Sequence, residues 1–307
     1  MASFNIGKIR IRNKGILAPM LEYTNLAFRR LCVENGCALP YTEMVHINYI
    51  LNSSLEEIPE LKTKDEDYPA SLQLVGNFTD AKKTISAFKK IEDLSFKIID
   101  FNLGCPSPKI EAGKSGAFLL DDIDLVSKTL KEIKQDTQKA ITAKVRLGTT
   151  KKDISVIAKS LENAGIDAIA IHGRLKTQGY KTPSDYKAVE KIAKDLSIPV
   201  IYNGDISLSN YKMFDDIDVF SGLMVARTAL NSPEIFSLIS DKNPKTKQEN
   251  IRLFTKLSKK YNLEIKYQKN NLLQLVSGFS GSKRLREKIS IAKTQEEIDN
   301  LSLPTFL

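Results

Sequence analysis

Residues 140–173 read AITAKVRLGTTKKDISVIAKSLENAGIDAIAIHG, and this stretch decides the fold. It begins with a nearly continuous apolar run at 140–148 and ends with another at 166–173. Between them, 153–165 has the periodicity of an amphipathic helix, which Gly165 closes. Continuous apolar strands are typical of a parallel sheet with both faces buried. The stretch therefore predicts a strand, a helix and a second, parallel strand.

The same rhythm extends along the chain in both directions. Further apolar runs and helical patterns predict strands at 15–20, 39–45, 70–76, 96–104, 198–205 and 218–227, and helices at 26–36, 80–94, 121–135, 184–196, 207–216 and 233–239. Eight strand–helix units predict an α/β fold, a closed (β/α)8 TIM barrel. An open doubly wound sheet is the alternative, but it usually has a glycine-rich fingerprint after its first strand, and GILAPMLEYTN at 15–25 has none.

The strand rhythm stops after residue 241, and the composition changes there. Residues 242–307 contain 14 basic and 6 acidic side chains, so they carry eight of the nine net positive charges of the chain. We therefore predict two domains, a barrel over 1–241 and a small basic all-α domain over 242–307. A concentrated basic segment suits a polyanionic partner, although a solvated surface with surplus lysines would have the same composition.

The cysteines and the apolar runs indicate where the protein works. Three cysteines, Cys32, Cys37 and Cys105, do not make an even disulfide framework, which favours the reducing cytoplasm. Cys32 and Cys37 have no histidine or cysteine at metal-ligand spacing, so we predict no metal site. Neither a signal peptide nor an apolar run of membrane-spanning length is apparent, so we predict no membrane association.

A set of residues, most of them polar, lies at the predicted carboxyl ends of the strands, where barrel enzymes place their function. These residues are Pro19, Met20, Gln73, Asn102, Cys105, Lys144, Arg146, His172, Arg174, Asn203, Gly204, Asp205, Ala226 and Arg227. Lys144 inside the run ITAKVRL would be costly to bury unless its charge met a partner. The turns at 203–205 and 226–227 fit a phosphate, because Gly204 admits a close backbone and Arg227 supplies paired donors. The residues thus point to a phosphate-bearing ligand at the barrel mouth.

In this order, the motifs resemble those of the tRNA-dihydrouridine synthases. The motifs are LAPM at 17–20, FRR at 28–30, YTEMV at 41–45, LQLVG at 72–76, NLGCPSPK at 102–109, AKVRLG at 143–148, IHGR at 171–174, NGDI at 203–206, MVARTAL at 224–230 and PEIF at 233–236. The resemblance implies a barrel that binds FMN and a helical domain that grips tRNA. It also implies reduction of the C5–C6 double bond of chosen uridines, with NADPH or NADH as the reductant.

Carried over by motif, the resemblance assigns roles to individual residues. The implied FMN contacts are Ala18, Pro19, Met20, Gln73, Lys144, His172, Asn203, Gly204, Asp205, Ala226 and Arg227. Cys105 is the implied proton donor, a role that suits a free thiol because its pKa near ~8.5 leaves it mostly protonated at neutral pH. Asn102 and Arg174 are the implied substrate contacts at the mouth. The candidate tRNA contacts in the basic segment are Lys283, Arg284, Arg286 and Lys288, together with Lys259 and Lys260, and we predict a monomer.

Two other functions compete with this interpretation. One is a different FMN barrel that oxidises or reduces a small molecule of the dihydroorotate or enoate type. The other is a non-catalytic tRNA-binding protein that keeps the barrel as a scaffold. The sequence also departs from the family pattern, with EYTN at 22–25 and with VAR at 225–227 where Ile-Gly-Arg is usual.

Overall fold

The computed structural model describes residues 3–62, 67–278 and 282–301. Eight parallel strands close into a barrel in chain order, and the last pairs with the first. They are β3 (Gly15–Leu17), β4 (Leu39–His46), β5 (Ser71–Val75), β6 (Ile98–Leu103), β7 (Ala140–Arg146), β8 (Ala168–His172), β9 (Val200–Asn203) and β10 (Phe220–Val225). The predicted TIM barrel is confirmed, and the open doubly wound sheet is excluded.

A short antiparallel hairpin, β1 (Phe4–Ile6) and β2 (Ile9–Ile11), precedes the barrel. Ile6 and Ile11 are fully buried and belong to the same apolar cluster as the interior residues of the barrel. The hairpin therefore covers the amino-terminal end of the barrel and leaves the opposite end for function. Sequence analysis missed it because each strand has only three residues, too few for a period to register.

Helices connect the strands and cover the outside of the barrel. They are α1 (Leu26–Glu34), α2 (Ile47–Asn52), α3 (Ala81–Lys90), α4 (Pro108–Ala112), α5 (Ile123–Asp136), α6 (Ile154–Asn163), α7 (Tyr186–Lys194), α8 (Tyr211–Asp215), α9 (Arg227–Asn231) and α10 (Ile235–Ile239). Several of these helices begin with a side-chain cap. The capping residues Asn25, Asp80, Asp153 and Asp185 each accept a hydrogen bond from a backbone N–H in the first turn. The predicted helix at 207–216 is shorter than expected, the predicted helix at 233–239 corresponds to α10, and α9 was not predicted.

Strand β6 shows why the barrel strands read as continuous apolar runs. Ile99, Phe101 and Leu103 pack outward into the large cluster beneath the helices, whereas Ile98 belongs to the interior cluster. Asp100 and Asn102 share the inward face with Ile98, because side chains alternate along a strand. Both faces are buried, but only the inward face carries polar groups toward the mouth.

The described part of 242–307 is helical, as predicted. It contains α11 (Lys247–Lys260), α12 (Ile265–Leu275), α13 (Ser282–Ile291) and α14 (Gln295–Asp299). A capping box between Thr246 and Glu249 begins α11. The rings of Phe28 on α1 and Phe254 on α11 meet edge to face with centroids 6.5 Å apart, so the helical region packs directly on the barrel. Across the three described ranges, we find no helix with the length and apolarity needed to cross a bilayer.

Candidate active site

A cavity of about 940 Å³ opens at the carboxyl ends of the barrel strands. All the residues predicted to contact the cofactor line it, and so do Asn102 and Cys105: Ala18, Pro19, Met20, Gln73, Asn102, Cys105, Lys144, His172, Asn203, Gly204, Asp205, Ala226 and Arg227. The strand register explains the convergence, since it pairs Asn102 with Lys144 and His172 with Asn203 across neighbouring strands. The structure therefore brings together residues that lie more than 200 positions apart in the sequence.

The structure does not place the other predicted contacts on this cavity. Arg174 is only 1% exposed and lies behind the cavity wall, where Nη2 donates to Asp205 Oδ2 over 2.6 Å. Its Nε donates to the Thr182 carbonyl. Lys283, Arg284, Arg286 and Lys288 are exposed on α13 and do not line the cavity. Direct substrate contact by Arg174 stays a prediction that the buried side chain does not favour.

Two guanidinium groups hold Asp205 at the end of β9. Arg174 bonds one carboxylate oxygen, and Arg227 Nη2 donates to Oδ1 over 2.9 Å. Burial acts to raise the pKa of Asp205, but the two arginines and the Ser184 N–H outweigh it and leave the pKa below its usual range. The ionised Asp205 in turn orients Arg227, whose guanidinium lies 4.8 Å from the centre of the Tyr180 ring. Arg227 is thus oriented at the mouth, where its other N–H groups have no hydrogen-bond partner among the described residues and can meet an anion.

Lys144 is a half-buried cation that lines the cavity. Burial lowers its pKa to about 8, and the charge of Arg146 acts in the same direction. Within the described ranges, the Lys144 ammonium has neither a hydrogen bond nor an ion pair with a side chain within 4 Å. A half-buried ammonium that has no acceptor from the protein suits a ligand that supplies acceptor atoms.

His172 supplies a second donor of this kind. Burial, with Lys144 and Arg146 nearby, lowers its pKa to about 2, so the ring is neutral at physiological pH. Nε2 lies 3.4 Å from Arg174 Nη1, and because arginine can only donate, Nε2 accepts and Nδ1 carries the proton. Among the described residues Nδ1 has no hydrogen-bond partner although it is buried. Lys144 and His172 together therefore offer a ligand two unmatched donors.

A chain of hydrogen bonds connects the barrel interior with the backbone of Cys105. Gln73 Nε2 donates to Asp100 Oδ2 over 2.8 Å, and Asn102 Nδ2 donates to Gln73 Oε1 over 2.8 Å. Asn102 Oδ1 then accepts from the N–H groups of Gly104, at 3.2 Å, and Cys105, at 3.0 Å. Because a carboxylate only accepts, Asp100 fixes which way both amides face. Thr142 Oγ1 donates to the other carboxylate oxygen, Asp100 Oδ1, over 2.6 Å.

Asp100 is a site residue that sequence analysis missed. It is fully buried, and burial raises its pKa to about 6, against the hydrogen bonds from Thr142 and Gln73. Its position could have indicated this role: Asp100 lies two residues before Asn102 in IIDFN, so both side chains lie on the same face of the strand. Burying an isolated acidic side chain in an apolar strand costs free energy, so such a residue indicates a functional or structural role.

Arg146 and Ala117 hold the loop of Cys105 from its other sides. Arg146 Nε donates to the Gly104 carbonyl over 2.9 Å, and the Ala117 N–H donates to the Cys105 carbonyl over 3.0 Å. After Cys105 the chain forms α4 and a 3-10 helix at Gly116–Asp122 before α5 begins. The thiol therefore sits on a backbone that is fixed on both sides, and Cys105 is partly exposed to the cavity.

Gly116 is required by this arrangement, and we expect Gly116→Ala to disturb Cys105. Its φ is +64°, and an added Cβ would lie 2.6 Å from the Cys105 carbonyl oxygen. We expect a loss of about 1–3 kcal/mol in the free energy of unfolding. We also expect faster alkylation of Cys105, since the Cβ displaces the carbonyl that Ala117 holds. Gly179→Ala is the matched control, because an added Cβ there meets nothing within 4 Å. Equal unfolding free energies and alkylation rates for the two variants would contradict this account.

Among the described residues, no group of three or more His, Cys, Asp or Glu side chains is arranged to hold a metal ion.

The comparisons with known proteins agree with this architecture. The dihydrouridine synthase (Dus) family profile matches residues 16–305. The chain is 34% identical over 240 residues to tRNA-dihydrouridine synthase B of Pseudomonas putida, covering 77% of this chain and 70% of that protein. It is 33% identical over 237 residues to the Vibrio vulnificus protein of the same name, covering 76% and 73%. A probable tRNA-dihydrouridine synthase of Rickettsia bellii is also 33% identical, over 238 residues, covering 76% and 72%.

Solved structures share the fold at much lower identity. The old yellow enzyme homologue from Zymomonas mobilis superposes with a TM-score of 0.57 at 11% identity, covering 80% of this chain and 93% of that one. The structure of TcOYE with pHBA gives a TM-score of 0.58 at 9% identity, covering 81% and 95%. These likenesses show a shared fold only, whereas the family profile matches residues 16–305. The chain belongs to the dihydrouridine synthase family.

Proposed function

We propose that this protein reduces specific uridines in tRNA to 5,6-dihydrouridine with a flavin cofactor. The observation that carries the proposal is a single cavity in which the thiol of Cys105 and the unmatched donors of Lys144 and His172 lie together. Membership of the dihydrouridine synthase family supplies the substrate class, because the relatives reported above carry that activity in their names.

The residues of the cavity suit FMN. The flavin ring presents carbonyl and nitrogen acceptors, which match the Lys144 ammonium and the His172 Nδ1–H. At the end of β9, Gly204 has φ of +145°, and Arg227 is held with donors to spare, which suits a phosphate group. When bound, FMN would supply the hydride that goes to C6 of the uracil, with NADPH or NADH as the source of electrons. Ala18, Pro19, Met20, Gln73, Asn203, Asp205 and Ala226 would form the remaining contacts.

Cys105 would supply the proton. Reduction of the C5–C6 double bond needs a hydride at C6 and a proton at C5, so the Sγ–H bond breaks as the C5–H bond forms. The thiolate that remains then recovers a proton from water. The fixed loop backbone holds the Sγ–H toward the cavity without a further general acid. Asn102 would meet the base with its second amide hydrogen, which now faces Met44 Sδ at 3.7 Å.

We also propose that the basic segment 242–307 grips the tRNA. The target base must leave its stack in the tRNA to enter the cavity. Because unstacking costs free energy, the enzyme must bind the tRNA backbone firmly. Lys283, Arg284, Arg286 and Lys288 are exposed on α13 and available for phosphate contacts. Binding through such contacts should weaken steeply with added salt.

The direct test is to map dihydrouridine in tRNA from cells that lack this protein, with and without the restored wild-type gene. We expect one or a few positions to lose dihydrouridine and to regain it on restoration. The purified protein should be yellow and should reduce those positions in unmodified tRNA. Reduction of dihydroorotate-type or enoate substrates in place of tRNA would favour the small-molecule alternative, and an unchanged dihydrouridine map would contradict the proposal.

A further inference from the structure

The first loop of the barrel, residues 18–25 after β3, forms one wall of the cavity. Met20, Leu21 and Tyr23 line the cavity directly. Inside the loop, Thr24 Oγ1 exchanges two hydrogen bonds with the Met20 backbone, each 3.1 Å long. Glu22 has φ of +66°, an unfavourable conformation for a residue with a side chain. The loop therefore needs support from outside to keep this shape.

Helix α12, which belongs to the C-terminal helical region, supplies that support through Asn271. Asn271 Nδ2 donates to the Tyr23 carbonyl over 3.1 Å, and Asn271 Oδ1 accepts from Asn25 Nδ2 over 2.8 Å. Asn271 is fully buried. Buried amides gain net stability mainly when their groups are satisfied, and here both partners belong to the loop. The contact joins positions almost 250 residues apart.

Two further contacts show that α12 is built into the mouth. Lys266 Nζ forms an ion pair with Glu22 at 2.5 Å, and the Glu22 N–H donates to the buried carboxylate of Glu43. The ion pair is exposed and contributes little by itself. Helix α12 also packs against α9, the helix that begins at Arg227. It thus touches the segments that follow β3 and β10, two strands that are neighbours in the closed barrel.

We propose that α12 supports the wall of the cofactor cavity, and that Asn271 is a positioning residue that holds the loop 18–25 in its binding conformation. The C-terminal region would then set the affinity for flavin in addition to gripping tRNA. This inference rests on the proposed function for the identity of the cofactor. The placement of the loop itself does not depend on that identity.

The chain provides a matched control in Asn250 on α11. Asn250 is also buried, and it also joins the C-terminal region to the barrel through an amide pair: Asn35 Nδ2 donates to Asn250 Oδ1 over 2.7 Å. Its other partner is Glu234 at 3.2 Å. Asn35 and Glu234 do not line the cavity. Loss of Asn250 should therefore loosen the same attachment without touching the loop 18–25.

The experiment compares Asn271→Ala and Asn250→Ala in the full-length protein. Apoprotein is titrated with FMN by fluorescence quenching, and hydrogen exchange is followed in residues 18–25. We expect Asn271→Ala to bind FMN about tenfold more weakly, because the Tyr23 carbonyl and the Asn25 amide then keep only the 3.2 Å bond that they make to each other and lose their link to α12. Its loop amides should exchange faster, whereas Asn250→Ala should match the wild type in both measurements. Asn271→Ser, which keeps a donor for Tyr23, is the second variant in case alanine prevents folding, and it should lie between the two.

Each outcome decides the proposal. Unchanged FMN affinity and unchanged loop exchange in Asn271→Ala would overturn it, and so would equal effects in the two alanine variants. If the wild-type protein does not bind FMN, the proposed function fails, but the hydrogen exchange of 18–25 still shows whether Asn271 positions the loop.

Discussion

Replacement of Cys105 by alanine should lower the rate of uridine reduction by about 10²–10⁴-fold, the range for removal of a general acid. Affinity for FMN and for tRNA should stay near the wild-type values, because the loop is held by backbone bonds to Asn102 and Ala117 that alanine retains. Single-turnover formation of dihydrouridine in unmodified tRNA measures the chemical step directly. Cys105→Ser should be nearly as slow, since the serine hydroxyl holds its proton far more tightly than a thiol.

Cys37→Ala is the matched control for the thiol. Cys37 is buried, and burial raises its pKa to about 12, against hydrogen bonds from two backbone groups. It does not line the cavity, so its replacement should leave the reduction rate unchanged. Normal dihydrouridine formation by Cys105→Ala would remove the proton-donor role and leave the family chemistry without an assigned acid.

Replacement of Asp100 by leucine should have the second-largest effect. Leucine has a similar shape but cannot accept, so Gln73 Nε2 and Thr142 Oγ1 would lose their acceptor inside the barrel. We expect a loss of about 1–3 kcal/mol in the free energy of unfolding for each group left unsatisfied. Gln73 and Asn102 would also lose their fixed orientation, and kcat should fall about 10–100-fold with little change in the KM for tRNA, since a misplaced reacting group costs rate.

Two further variants separate positioning from simple structural damage. Asp100→Asn keeps an acceptor for Gln73 and can donate to Thr142 Oγ1, so it should recover most of the rate. Ser71→Ala is the control, because Ser71 is buried on the same strand as Gln73 but lies outside the hydrogen-bonded chain. Alkylation of Cys105 should change in Asp100→Leu and not in Ser71→Ala. A rate for Asp100→Leu equal to that of Ser71→Ala would contradict the positioning role.

Much of the site could be predicted from the sequence because a parallel barrel brings the carboxyl ends of all its strands together, and each strand can be recognised locally. Each strand is recognisable in the sequence as an apolar run, and parallel strands have their carboxyl ends at the same edge of the barrel. Gln73, Lys144, His172 and Asn203 therefore converge on one cavity, although sequence alone could place each only at the end of its own strand.

Other features depend on contacts that no local pattern encodes. Arg174 follows His172 in the motif IHGR, which suggested a place at the mouth, but the fold turns its guanidinium toward Asp205 and backbone carbonyls behind the wall. Asn271 lies in an ordinary helical segment and has no motif. Its partners Tyr23 and Asn25 belong to the opposite end of the chain.

The sequence by itself determined the barrel, the order of its strands and the residues at its mouth, because hydrophobic periodicity and strand ends are local properties. Only the tertiary structure decided which polar groups pair, which donors remain unmatched and which helix supports the first loop. Hydrogen bonds such as those of Asp100 and Asn271 join residues that folding alone brings within 3 Å or so of one another, and their energy depends on burial that the whole chain creates.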